Sequence, residues 1–160
     1  MRDRPLTIIS GGQTGADRAA LDVARALGLP YGGAVPKGRA AEDGPIPDRY
    51  GNLVETKTAD PAERTRRNVL QSDATLLVTH GEPRGGSALT RDVARAEGRP
   101  FLHVDLRRTS APDAQRLLRA WLQATPCRVL NVAGPRASED PDICRATFAL
   151  LHAVLGDADA

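Results

Sequence analysis

The feature that most constrains this chain is the alternation of short apolar runs with segments of helical periodicity. Leu6-Thr7-Ile8-Ile9 reads as a buried strand. After it, Ala16, Ala19, Ala20, Val23, Ala24 and Leu27 share one helical face, and Gly28 stops the helix. Tyr31 to Val35 predicts a second strand, residues 37–50 a loop without periodicity, and Leu53-Val54 a short strand. Asp60-Pro61-Ala62-Glu63 predicts a helix start, with Asp60 as N-cap, Pro61 as first helical residue and Glu63 as capping-box partner; that helix runs to about Ser72.

Ala74 to Thr79 is the clearest buried strand. A glycine-rich loop follows, then a helix from about Leu89 to Glu97 and a strand over Phe101 to Val104. Ala114, Leu117, Leu118, Trp121 and Leu122 form the inner face of a further helix. Arg128 to Val132 is the last strand, and Asp140-Pro141 starts the last helix. Strands near 8, 33, 77, 102 and 130, separated by helices, define an α/β fold: a doubly wound, mostly parallel sheet with helices on both faces. No repeat or linker interrupts the 160 residues, so one domain over 1–160, with its core at about 6–155, is the expectation.

Composition narrows the function classes. Aromatics are only 3%, so the core must be Ala, Val and Leu. The net charge of +2 gives no argument for nucleic acid, which calls for a basic cluster on one element. No apolar run approaches the length of a membrane span. No apolar signal core follows the first residues, which predicts a cytoplasmic protein. Cys127 and Cys144 make no disulfide framework, and no Cys-x-x-Cys or histidine cluster suggests a protein-ligated metal. Of the 22 basic residues, Lys37 and Lys57 are the only lysines. Arg64, Arg66, Arg116 and Arg119 are expected on solvent faces of helices. Arg39, Arg84 and Arg136 fall in strand-end loops, where an anion would be held.

Four loops could carry chemistry. Ser10-Gly11-Gly12-Gln13-Thr14-Gly15-Ala16-Asp17 joins the first strand to the first helix. It reads either as a tight turn with helix caps or as a ligand cradle. Three glycines, two hydroxyls and an amide in succession exceed what a turn needs, and free N–H groups at a helix N-terminus attract anions. The spacing is neither the dinucleotide fingerprint nor a Walker loop, since Ser10 stands at the first glycine and no Gly-Lys-Ser/Thr follows. Arg84, Gly85, Gly86, Ser87 and Thr90 repeat the design after another strand. If the strands near 8 and 77 are neighbours, both helix N-termini point at one anion. Asn131 to Arg136 leaves the last strand, either as a pocket wall or as a plain exit. In residues 36–44, Lys37 and Arg39 could hold anionic oxygens, and Glu42 or Asp43 an amino-lactam edge, unless all are a solvated charge run. His80 lies near the second loop; His103 and His152 read as structural.

Together, ISGGQTGADRAALD (9–22), YGGAVPKGRAAEDGPIP (31–47), GGSALTRDVA (85–94) and VLNVAGPR (129–136) resemble the molybdenum-cofactor carrier family, a branch of the SLOG-type Rossmann-like superfamily. The resemblance covers about residues 6–155. It implies a Rossmann-like fold, a homo-oligomer (dimer or tetramer), and binding of the molybdenum cofactor, a phosphorylated pterin that carries the metal on its own sulfurs. It places the pocket on residues 11–17, 37–43 and 85–90. Relatives carry Trp-Cys where this chain has Ala34-Val35, and Trp at Arg67, which leaves Tyr31, Tyr50 or an arginine plane to stack on a pterin.

The reading is therefore a non-catalytic carrier that passes its cargo to a molybdoenzyme. Its rival is a nucleotide sensor or phosphoribohydrolase acting on a nucleoside monophosphate. Such enzymes resemble Pro-Gly-Gly-x-Gly-Thr followed by Glu, and here Arg91 stands at the glutamate position, with Asp92 next to it.

Overall fold

A computed structural model describes residues 5–156. Its elements are β1 (Thr7–Ile9), α1 (Ala16–Leu27), β2 (Tyr31–Val35), β3 (Ala40–Ala41), β4 (Gly44–Pro45), β5 (Leu53–Glu55), α2 (Pro61–Gln71), β6 (Ala74–Thr79), α3 (Gly85–Ala96), β7 (Phe101–Asp105), α4 (Ala111–Ala124), β8 (Val129–Ala133) and α5 (Ile143–Gly156). Six strands form one parallel sheet in the order β5-β2-β1-β8-β6-β7. α1 and α4 pack on α5, and α2 packs on α3, so the helices divide between the two faces. The fold is α/β and Rossmann-like.

The last strand in sequence lies at the centre of the sheet. β8 pairs with β1 through Ile9 and Asn131, and with β6 through Thr75 and Asn131. The strands near 8 and 77 are therefore not neighbours, and the loop after β8 stands between the two glycine-rich loops. The core follows from burial on both faces: β6 is buried at every position, as parallel strands covered by helices require. Leu76, Val78, Leu118, Leu130, Val132, Ile143 and Leu151 meet around it.

Several local expectations are corrected. The segment 37–50 is not a bare loop: β3 and β4 form a small hairpin, and Ile46 and Tyr50 behind it are buried against Leu21 and Val35. Asp60 caps α2 by accepting from Ala62 N–H, but Glu63 reaches past the cap to Thr58 rather than back to Asp60. α3 begins at Gly85, four residues before Leu89, so its glycines are the first turn of the helix. α5 begins at Ile143, after a turn at Asp140-Pro141. Leu117 points out of α4 and is exposed. None of the described helices is long and apolar enough to cross a membrane.

Candidate functional site

At the C-terminal ends of β1, β8 and β6 lies a cavity of about 280 Å³. This is where ligands sit in doubly wound sheets, outside the carboxyl ends of strands at the point where strand order reverses. Its walls come from four places: the β1–α1 junction (Gly11, Gln13, Asp17), the inner side of α2 (Arg64, Thr65, Asn68), the first turns of α3 (Gly85, Gly86, Ser87, Thr90), and β8 with its exit (Asn131, Gly134, Arg136).

The β1–α1 junction is closed by its own hydrogen bonds. The Asp17 carboxylate accepts from the N–H groups of Gly11 and Gln13. Gly12 N–H donates to Ser10 Oγ, and Thr14 N–H to Gln13 Oε1. Ala16 N–H, at the first turn of α1, donates to the Pro135 carbonyl at 3.2 Å. The junction offers its carbonyls outward instead. Arg64 donates to Gly11 O at 2.7 Å, and Arg18 donates to Gly12 O at 3.0 Å. The expectation that free amides of this loop attract an anion is therefore corrected, because those amides have intramolecular acceptors.

The start of α3 is open. Arg84 occupies the N-cap position, and its side chain makes no capping hydrogen bond. The N–H groups of Gly85 and Gly86, on the first two helical residues, have no acceptor within the helix. Ser87 is only 5% exposed, and its hydroxyl has no hydrogen-bond partner among the described residues, although it lines the cavity. Asn131, 3% exposed, donates from Nδ2 to Thr75 Oγ1 and leaves its amide oxygen to the cavity. Both side chains are buried while their free oxygens stay open to the cavity, where a ligand or water can meet them. Thr90 spends its hydroxyl on the Gly86 carbonyl.

Electrostatics divide the walls. Arg64 and Arg136 bring positive charge, with Arg136 also paired to Glu139 at 3.0 Å. Asp17 faces them, and burial pushes its carboxyl up to about 6 against the pull of Arg64 and Arg18. Arg64 was expected on a solvent face; it instead bends over Gly11, because α2 lies along the mouth. Its signal in sequence was faint: one arginine among several on a polar helix. Arg119, also expected outside, donates to the Ala153 carbonyl.

Of the sequence candidates, Gly11, Gln13, Asp17, Gly85, Gly86, Ser87, Thr90 and Asn131 line this cavity. Gly12, Thr14, Gly15, Lys37, Arg39, Glu42, Asp43 and Arg84 do not. Thr14 donates to Glu42 and accepts from Ala137 N–H. Glu42 also takes the Ser138 N–H at 3.0 Å, and its hydrogen bonds from Ser138 and Thr14 hold its carboxyl below the usual range. Asp43 pairs with Arg18 at 2.7 Å, which lowers it likewise. Both carboxylates thus fasten the β3–β4 hairpin to its neighbours rather than offering an edge to a pterin. Arg39 donates to the carbonyls of Ile46, Pro47 and Tyr50, and so holds the same segment. Lys37 is exposed. Tyr50 is buried among Arg18, Arg25 and Arg49, and Tyr31 binds Gly51 N–H, so neither lines the cavity.

His80 binds Asp140 at 2.6 Å and lines a separate cavity with Leu106, Ser110 and Ala149. His103 contacts Thr79, and His152 stacks on Phe148. Among the described residues, no three His, Cys, Asp or Glu side chains gather as metal ligands.

Comparison with known proteins agrees with this architecture. The circularly permutated YpsA SLOG family matches residues 8–155. The crystal structure of a "putative molybdenum carrier protein" from Syntrophus aciditrophicus SB superposes with a TM-score of 0.92 at 52% identity, covering 96% of this chain and 98% of that one. No curated protein matches. With the family matching nearly the whole chain, and a neighbour of that identity along its full length, this protein belongs to the circularly permuted YpsA SLOG family.

Proposed function

We propose that this protein is a carrier of the molybdenum cofactor that grips the cargo by an oxyanion, its phosphate in the first place, at the start of α3. One observation carries the reading: two helix N-terminal amides and the unpartnered hydroxyl of the largely buried Ser87 open into one cavity. A helix N-terminus with oriented N–H groups favours anions, and arginine completes such a site with paired donors. Arg64 and Arg136 both line this cavity, and the N–H groups they do not spend on Gly11 and Glu139 supply that chemistry.

At about 280 Å³ the cavity lies just under the range that encloses a drug-sized ligand. The phosphate therefore enters, and the pterin and metal rest toward the mouth. The name of the Syntrophus structure, a molybdenum carrier, supports the cargo. The cofactor's sulfurs hold its metal, so the protein's part is to bind, orient and shield. Among the described residues no aromatic ring lines the cavity, so the guanidinium planes of Arg64 and Arg136 are the surfaces for stacking.

The nucleotide-cleaving alternative finds less support. Asp92 is exposed, pairs with Arg91 on the outer side of α3, and lies outside the cavity. The experiment is titration of the protein with isolated molybdenum cofactor, followed by fluorescence of its pterin, beside an assay for free base from AMP and GMP. Saturable cofactor binding without base release is expected. Base release, or no cofactor binding, would overturn the proposal.

A further inference from the structure

The cavity that would take the oxyanion also contains a carboxyl group, and that pairing is unusual. Asp17 lies in the first turn of α1, is 7% exposed, and shares the cavity wall with Gly85, Gly86, Ser87 and Asn131. A sphere of the cavity's volume is only about 8 Å across, so a dianion inside it cannot escape the field of Asp17. The charged groups around Asp17 are Arg18 on its own helix, Arg64 from α2, and Arg136 with Glu139 from the exit of β8. α3 brings no acidic side chain to its first turn. Arg18 is largely committed to Asp43 and the Gly12 carbonyl, and Arg136 to Glu139.

We propose that Asp17 is the proton-sharing residue of the site: it holds one hydrogen toward the bound oxyanion, so that a fully deprotonated tetrahedral dianion enters together with one proton from solvent. The inference rests on the anion reading given above and deepens it by naming the ligand class. The chemistry balances simply. A carboxylate and a proton become a carboxylic acid, which donates to an anion oxygen, and no other bond is made or broken. The geometry permits it, because Asp17 spends two acceptor positions on the Gly11 and Gln13 amides and a protonated carboxyl keeps both an acceptor and a donor. Burial already lifts the group to about 6, and a neighbouring anion lifts it further. Affinity for such a dianion therefore rises as pH falls from 8 toward 6. A phosphate monoester, whose second ionisation lies near pH 6, brings part of the proton itself and shows a weaker dependence.

The test is isothermal titration with sodium tungstate and, separately, inorganic phosphate, in buffers of different ionisation enthalpy. For tungstate the expected result is uptake of close to one proton near pH 7.5 and about fortyfold tighter binding at pH 6 than at pH 8. Asp17→Asn is expected to bind with no uptake and little pH dependence. Should that variant fail to fold, the carboxyl carbon of Asp17 in the unaltered protein gives the same information by NMR. Its titration midpoint is expected to move up when tungstate is added. Tungstate binding without proton uptake, uptake unchanged in Asp17→Asn, or an unmoved midpoint would overturn this inference and leave the anion site standing. Absence of binding by both anions at both pH values would overturn the two together.

Discussion

The two glycine-rich junctions look alike in sequence and differ in where their amides go. After β1, the amides of residues 11–14 and 16 all have acceptors nearby, and Gly15 packs against the exit of β8. After β6, Gly85 and Gly86 have open space on every side where a Cβ would stand. The first junction uses glycine to let two backbones touch, and the second uses it to leave a helix end bare. A glycine-rich strand-to-helix turn is therefore evidence for close approach, and only the fate of its N–H groups says whether the approach is by protein or by ligand.

The difference predicts opposite responses to the same substitution. Gly15→Ala would put a Cβ 2.3 Å from the Pro135 carbonyl at a φ of +82°. It is expected to cost about 3 kcal/mol or more, read from urea unfolding. A loss below about 1 kcal/mol would show that the closed junction is soft, and the contrast would fail.

Asp17→Asn probes what closure costs. Asp17 titrates at about 6 in the fold, against 3.8 for the ordinary group, chiefly because it is buried. A folded-state value raised above the unfolded one favours the fold while the group is protonated. That favour is complete below about pH 4 and is lost as pH rises through about 6. Asp17→Asn, with no charge to bury, is expected to be about 1–3 kcal/mol more stable than the parent at pH 7.5, with the gain vanishing near pH 4. Stability measured across that range decides it; a flat difference would mean that burial of Asp17 carries no penalty.

These two tests concern residues that the sequence already singled out. The strand and helix positions were legible because buried parallel strands and amphipathic helices leave periodic apolar patterns, as in Ala74–Thr79 and Ala16–Leu27. Strand order was not. The placement of β8 between β1 and β6 is set by long-range pairing, such as Asn131 with Thr75, which no local pattern records. The start of α3 is hidden in sequence because glycines at 85 and 86 resemble a loop, although an N-terminal turn tolerates them. The hairpin at 40–45 was missed because its strands are two residues each, too short for alternation. Arg64 was missed as a site residue because α2 is polar nearly all round, and only the sheet's geometry shows which side meets the cavity. Glu42 and Asp43 looked free for a ligand because their partners Ser138 and Arg18 are distant in sequence.

Arg64 joins the two regions, since it holds the Gly11 carbonyl of the closed junction and lines the cavity of the open one. Arg64→Ala is expected to weaken tungstate binding at least tenfold while lowering stability by only about 1 kcal/mol, the scale of one partly exposed hydrogen bond. Equal loss of both would make Arg64 a structural residue alone. The smallest effect belongs to Gly86→Ala. With no clash at the added Cβ, it is expected to raise the unfolding free energy by about 0.5–1 kcal/mol through helix propensity. A marked loss would mean that α3 starts under constraint.

The central claim is that the anion is held by the backbone amides at the start of α3 and not by those of the β1–α1 junction. A nitrogen-15 amide titration with phosphate or tungstate reads both regions in one experiment. The account predicts that the amides of Gly85, Gly86 and Ser87 move most, with saturation, while those of Gly12 and Thr14, whose acceptors are Ser10 and Gln13, move little. Large saturable shifts at residues 12 and 14 with residues 85–87 unmoved would contradict it.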